Sequence, residues 1–289
     1  MLHFLNKADY IKFASETNLD VILKQSKGVL GDEELLNNHT DMAVSDCLNF
    51  ISARYRTTEI FAGIKEYSDA TVYVWNDLIY LDASDYVAAT VYTDGQTVLY
   101  LGKVYRKNAT TGGYIAGTLP TNATYFVELG LKGFYYITPP AAYDSAVVYT
   151  DGQYVTYKFD IYKRNDAQNT LKNETPSSDS DYWDKIALSE YATEYDSTGN
   201  YPNNTTYWTY GDNRNQTIVR IAVDIALFHL HSVINPRNIP ALRKDRYDSA
   251  VEFLTMCMEG KLNPVLPEYD AQSGYKIRFG SNEPFNTIY

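Results

Sequence analysis

The stretch VYTDGQTVLYLGKVYRKN, Val91 to Asn108, returns 57 residues later as VYTDGQYVTYKFDIYKRN, Val148 to Asn165, with ten of eighteen positions identical. A chain that writes one local pattern twice is expected to fold the copies alike, so its middle is read as a repeated unit. In each copy Asp94-Gly95 or Asp151-Gly152 supplies the positive-φ residues of a tight hairpin. Val98 and Tyr100, like Val155 and Tyr157, then share one face at period two, and Tyr105 and Tyr162 restore agreement on a third strand. The spacing predicts two three-stranded antiparallel meanders, over about residues 85-130 and 142-187. At the second turn Gly102 stands opposite Phe159, which predicts different turn backbones in the two copies. A fainter echo, ATVYVWNDLIY, precedes both at Ala70 to Tyr80, and YPNNTTYW repeats their closing phrase with Pro202 and Trp208.

On either side of this region the texture changes to helix. Between Asp32 and Tyr55 the residues Leu36, Ala43, Cys47, Phe50 and Ile51 lay an apolar stripe along one face, after a start at Gly31 with acids in the first turn. From Gln216, QTIVRIAVDIALFHLHSVI is apolar nearly all round, which predicts a central buried helix stopped at Asn235-Pro236. Pro240 suits the first turn of a second helix that presents Tyr247, Ala250, Val251, Leu254 and Met258 on one face and stops at Gly260. Neither helical end can hide its apolar faces alone, so the two are expected to pack as one body. The fold class is therefore α+β. A helical domain in two parts, residues 1-65 and 212-262, is interrupted by an all-β insertion over 66-211 and followed by an extended arm over 263-289.

Charge and motif content exclude several function classes. With 25 Lys and Arg against 36 Asp and Glu the net charge is -11, which argues against a general nucleic-acid binder, although an acidic surface lets DNA slide past without sticking. No apolar run approaches the ~18 residues of a membrane span. MLHFLNKADY lacks the layout of a secretory signal, so the chain is expected to fold where it is made. Cys47 and Cys257 read as small buried hydrophobes. His229 and His231 point about 200° apart around their helix and cannot share a metal. No phosphate loop, zinc-ligand spacing or nucleophile elbow is present, so no catalytic residue, metal ligand or cofactor is expected.

The segments FLNKADYIKFASETNLDVIL, DCLNFISARYRTTEIF and IVRIAVDIALFHLHSVINPRNIPALRKDRYDSAVEFLTMCMEGKLNP together resemble the Mu-like head-tail connector proteins of tailed bacteriophages, over roughly residues 4-62 and 216-264. The resemblance implies a helical connector domain in a structural, non-enzymatic virion protein made in the host bacterial cytoplasm. It implies a dodecameric ring in the phage neck, with the portal and other neck or tail proteins as partners. Genomic DNA would pass through the lumen without sequence-specific binding, and no membrane is involved. It also implies an arm laid on neighbouring ring components, here Pro264, Pro267, Tyr269, Tyr275 and Ile277, continuing through Phe279, Phe285 and Tyr289. The large β insertion departs from the compact family pattern.

Within the insertion, Tyr92, Gly95, Val98, Tyr100, Gly102 and Tyr105 have a spacing that resembles the small chitin- and cellulose-binding modules appended to glycoside hydrolases. The second copy fits all but the second glycine. Such modules stack exposed aromatic rings on sugar faces, and the matching positions are Trp183 and, in the first copy, Tyr125 and Phe126, with Trp208 downstream. These are candidate glycan or protein contacts, against the alternative that they fill module cores. The resemblances leave two readings, a neck connector and a glycan-binding virion adhesin. The interrupted helical domain and its arm favour the connector.

Overall fold

The computed structural model describes residues 3-25, 31-68, 70-108, 114-165, 174-177, 181-187, 190-191, 201-234 and 236-269. The chain is α+β, with helices α1 (Lys7–Ala14), α2 (Glu16–Gln25), α3 (Asp32–Ile51) and α4 (Thr57–Ile60) before the strands, and α5 (Gln216–Ile234) and α6 (Ala241–Met258) after them. Residues from both ends share one core: Leu5, Tyr10, Ala43 and Ile51 pack with Ile218, Ala222, Leu254 and Cys257. Asn215 starts α5 by accepting from the backbone N–H groups of Thr217 at 3.0 Å and Ile218 at 3.2 Å, a cap that contributes about 1 kcal/mol. By length and composition α5 could cross a membrane, but most of its residues are buried inside this helical body.

One helix boundary and one helix face differ from expectation. Pro240 lies just outside α6 as its N-cap, because its ψ of 134° is extended rather than helical. The buried stripe of α6 is Arg243, Ala250, Leu254 and Cys257, while Met258 is exposed. The helix is thus turned from the expected face toward Arg243 and Cys257. Gly260 ends it at φ 71°, and the N–H of Lys261 closes the last turn on the carbonyl of Met256 at 2.9 Å.

The β region holds three modules rather than two. Strands β1 (Leu78–Leu81), β2 (Thr97–Tyr100), β3 (Lys103–Lys107), β4 (Phe126–Leu131), β5 (Gly133–Ile137), β6 (Tyr154–Tyr157), β7 (Asp160–Arg164), β8 (Trp183–Ile186) and β9 (Trp208–Tyr210) form three antiparallel sheets. The expected meanders are β2-β3-β4 and β6-β7-β8. The third sheet, β1-β5-β9, is assembled from the faint echo, the linker and the repeated closing phrase. One inner module therefore sits between the first two strands of an outer module, and the other between its last two.

Hydrogen bonds identify the outer module as a third copy. The hydroxyls of Tyr73, Tyr92 and Tyr149 each accept from the backbone N–H five residues earlier, at Ser68, Val87 and Asp144, over 2.6, 2.7 and 2.7 Å. Each of these tyrosines stacks on the ring six residues before it, Tyr67, Tyr86 or Tyr143. The N–H groups of Thr138, Asn108 and Asn165 donate to the carbonyls of Tyr207, Tyr125 and Tyr182 at 2.9, 2.8 and 2.9 Å. Asn76, at φ 74°, takes the place of Gly95 and Gly152, since asparagine is one of the few side chains that visit the left-handed region readily.

The inner modules also share a turn that their sequences predict to differ. Leu101 and Gly102 have φ 51° and 76°, and Lys158 and Phe159 have φ 49° and 68°. Both are two-residue loops closing Tyr100 on Lys103 and Tyr157 on Asp160. Strand twist selects this left-handed pair over the preference of the side chain, at a cost of about 1 kcal/mol for a non-glycine residue. Phe159 is half exposed, so Phe159→Gly gives up little burial. We expect it to raise unfolding stability by about 1 kcal/mol in urea titration, and Gly102→Ala to lower it similarly. Equal midpoints for Phe159→Gly and wild type would contradict this assignment of strain.

Candidate functional site

The expected sugar-stacking rings occupy one equivalent position in all three modules, and they are buried. Phe126, Trp183 and Trp208 are each 2 % exposed, and the indole N–H of Trp183 donates to the Glu174 carbonyl at 2.7 Å. Each opens the last strand of its module and fills that module's core. Their assignment as surface contacts is corrected: a unit this small must bury its largest rings, so these three are not open to stack on a sugar. Tyr125 is half-buried, 5.6 Å from the ring of Tyr114 and 5.7 Å from the ammonium of Lys107.

A surface pair instead distinguishes the modules. Opposite the shared Tyr105, Tyr162 and Tyr135 stand Glu128, Lys185 and Tyr210. In one inner module Lys103 pairs with Glu128 at 2.8 Å, and in the other Asp160 pairs with Lys185 at 2.9 Å, so the same cross-strand pair has opposite polarity. In the outer module Gly133 leaves room for the ring of Tyr210, whose hydroxyl a Cβ would approach to 2.8 Å. Reversal has a consequence for docking: Asp160 also takes Arg56, 2.7 Å away at the start of α4, and so ties its module to the helical body. Exchanging the pair as D160K/K185E keeps the cross-strand attraction and removes that tie. We expect unchanged Trp183 fluorescence but at least about tenfold faster amide exchange around residues 56-60. Unchanged exchange there would show that Asp160 does not anchor the module.

The described start of the arm folds back on its own chain. Leu266 is buried, the carbonyl of Pro267 accepts from the Arg56 N–H at 2.8 Å, and the Tyr269 N–H donates to Arg54 at 3.1 Å. These groups lie just past the end of α3 and need partners, which the arm supplies as a β bridge between Tyr55 and Glu268. At 267-269 the backbone of the arm is held within its own chain, while the side chain of Tyr269 stays exposed. Tyr275, Ile277, Phe279, Phe285 and Tyr289 lie outside the described residues.

The junction between helices and β modules is held by Arg214. Its guanidinium bonds Asp9 of α1 at 2.7 Å and Asp212 at 2.8 Å, and lies between the rings of Phe4 and Phe134, 5.3 and 4.7 Å away. Burial opposes ionisation of both acids. For Asp212 the hydrogen bonds and charge of Arg214 outweigh burial and hold its carboxyl below the usual range, whereas burial wins at Asp9 and raises it.

A second charged cluster lies in a cleft of about 380 Å³ between α1, α5 and α6. Its walls include Lys12 and Phe13, Arg220 and Asp224, and Arg246 and Phe253. Asp224 is 6 % exposed, and its Oδ1 lies 3.6 Å from Arg246 Nη1, beyond hydrogen-bond length, with no donor among the described residues. Burial raises its pKa against the attraction of Arg246, Arg243 and Arg220. The near-continuous apolar pattern of α5 hides this site in the sequence. The signal was present in a lone Asp224 four residues after Arg220, one helical turn away.

The histidines serve packing contacts: His229 Nε2 is 2.7 Å from Asp46 Oδ2, and His231 Nδ1 is 2.8 Å from the Leu227 carbonyl. Among the described residues no group of three His, Cys, Asp or Glu side chains is placed to hold a metal ion. No protein-family model matches the chain, and neither a curated protein nor a solved structure is found to match it.

Proposed function

We propose that this chain is a structural virion component that forms a ring in the phage neck, joining portal and capsid to the tail while DNA passes through. The observation that carries the reading is the common core of residues 4-60 and 218-266. These are the two segments whose sequences resemble the connector family, and a connector requires them to form one body. The β modules are carried as a side insertion entered at Lys65, whose N–H bonds the Leu78 carbonyl at 2.8 Å, and left through Asp212 and Arg214. Burial of Trp183, Trp208 and Phe126 weighs against the adhesin reading and favours protein contacts or decoration of the ring as the role of the modules. Copies of the chain, the portal protein and other neck proteins are then its partners.

Negative-stain imaging and native mass spectrometry of the purified full chain test the reading. Closed rings of about a dozen copies are expected. A chain that stays monomeric at high concentration, and is seen as isolated copies in particles, would refute it.

A further inference from the structure

On a chain of net charge -11, self-association works against repulsion unless charge is locally reversed at the contact. The α1-α5-α6 cleft supplies such a reversal. Lys12 and Arg220 are exposed at its rim, the side chain of Arg246 is 41 % exposed, and Arg243 behind them has a buried Nη1 without a hydrogen-bond partner among the described residues. Against these four cations stand the buried Asp224 and the exposed Asp245. Phe13 and Phe253 give the cleft an apolar wall.

The chain also carries a feature of complementary chemistry. The first turn of α3 presents Asp32, Glu33 and Glu34 in succession, all exposed, and none forms an ion pair among the described residues. Its N-cap is Gly31, and no side chain among the described residues caps it. The N–H groups of that turn thus call for an acceptor, while its carboxylates call for cations. No residue of α3 lines the cleft.

We propose that the cleft receives the acidic first turn of α3 from a second copy of the chain, with Asp32, Glu33 and Glu34 meeting Arg220, Arg246 and Lys12. Arg246, which lies 3.6 Å from Asp224 and donates to the Phe13 carbonyl at 3.5 Å, exchanges that long hydrogen bond for the incoming carboxylates. The two patches differ, so each copy offers both halves of the contact, and passing it head to tail from copy to copy closes a ring. This inference rests on the ring reading and names the surfaces that join its subunits.

The test uses the full chain and native mass spectrometry. R220E/R246E and D32K/E33K/E34K should each weaken assembly about a hundredfold in the concentration required. Mixing the two should restore assembly with the chains alternating, because the native turn of one meets the native cleft of the other and the reversed turn meets the reversed cleft. Combining all five substitutions in one chain should restore rings. Because Arg246 is partly buried, R220E alone, at an exposed position, serves as the variant whose folding is least at risk. Rings that persist in R220E and in both charge-reversed chains would overturn the proposal and leave the ring reading intact. A wild-type chain that never assembles would overturn both.

Discussion

Replacing Arg214 with methionine is expected to lower unfolding stability by about 3–5 kcal/mol at neutral pH, because it strands two buried carboxylates. The side chains of Asp9 and Asp212 are 2 % and 14 % exposed, and that of Arg214 only 5 %, so water replaces little of what is lost. Methionine keeps much of the contact with Phe4 and Phe134, which isolates the charge from the packing. The deficit should shrink on acidification. Without the guanidinium, burial raises both acids in the folded state above their unfolded values, so the folded variant binds protons first and gains stability as pH falls. In the wild type Asp212 acts in the opposite sense, contributing stability above the usual carboxylate range that is lost as pH falls through its depressed value. Asp9, being raised, partly offsets that loss. Urea unfolding at pH 7 and about pH 4.5 decides the matter. A deficit below about 1 kcal/mol, or one equal at both pH values, would mean that Arg214 is not the latch.

The latch was illegible in the sequence because its parts lie at the chain's beginning and beyond the insertion, and only folding brings Asp9 to Arg214. Local signals fared better. The nearly all-apolar α5 could be placed as a buried helix, and of the α3 stripe Leu36, Ala43, Cys47 and Ile51 are buried as the spacing predicts, with Phe50 half-buried against the same core. Asp-Gly pairs marked hairpins because their backbone demand is local. The same locality hid the outer module, whose three strands are parted by two whole modules and whose turn glycine is replaced by Asn76. At the candidate site, an aromatic position could be found in each module from spacing, but its exposure could not. Whether a ring opening a strand faces sugar or core depends on which face the module closes over, and Trp183 and Trp208 both face inward.

That nested order sets the second large effect. Trp208→Ala is expected to cost about 3–5 kcal/mol, the usual range for deleting a fully buried large ring. Trp183→Ala should cost a similar amount locally, yet the two losses should spread differently. The core around Trp208 includes Tyr73, Ile79 and Ile137 of the outer module and also Val104 and Leu129 of the β2-β3-β4 module, so those two sheets should open together. The core around Trp183 holds Val155 and Tyr162 with Tyr143, Tyr149, Tyr157 and Tyr182, all from its own module. Opening β6-β7-β8 lengthens the loop that β5 and β9 must close, but each doubling of a loop adds only about 0.6 kcal/mol. Amide exchange should therefore show Trp183→Ala releasing β6 to β8 while β1, β5 and β9 stay protected. Trp208→Ala should release β1 to β5 and β9. Identical exchange maps for the two variants would mean that the modules unfold as one unit, and that the third copy is a side of a single barrel-like core rather than the frame carrying the other two.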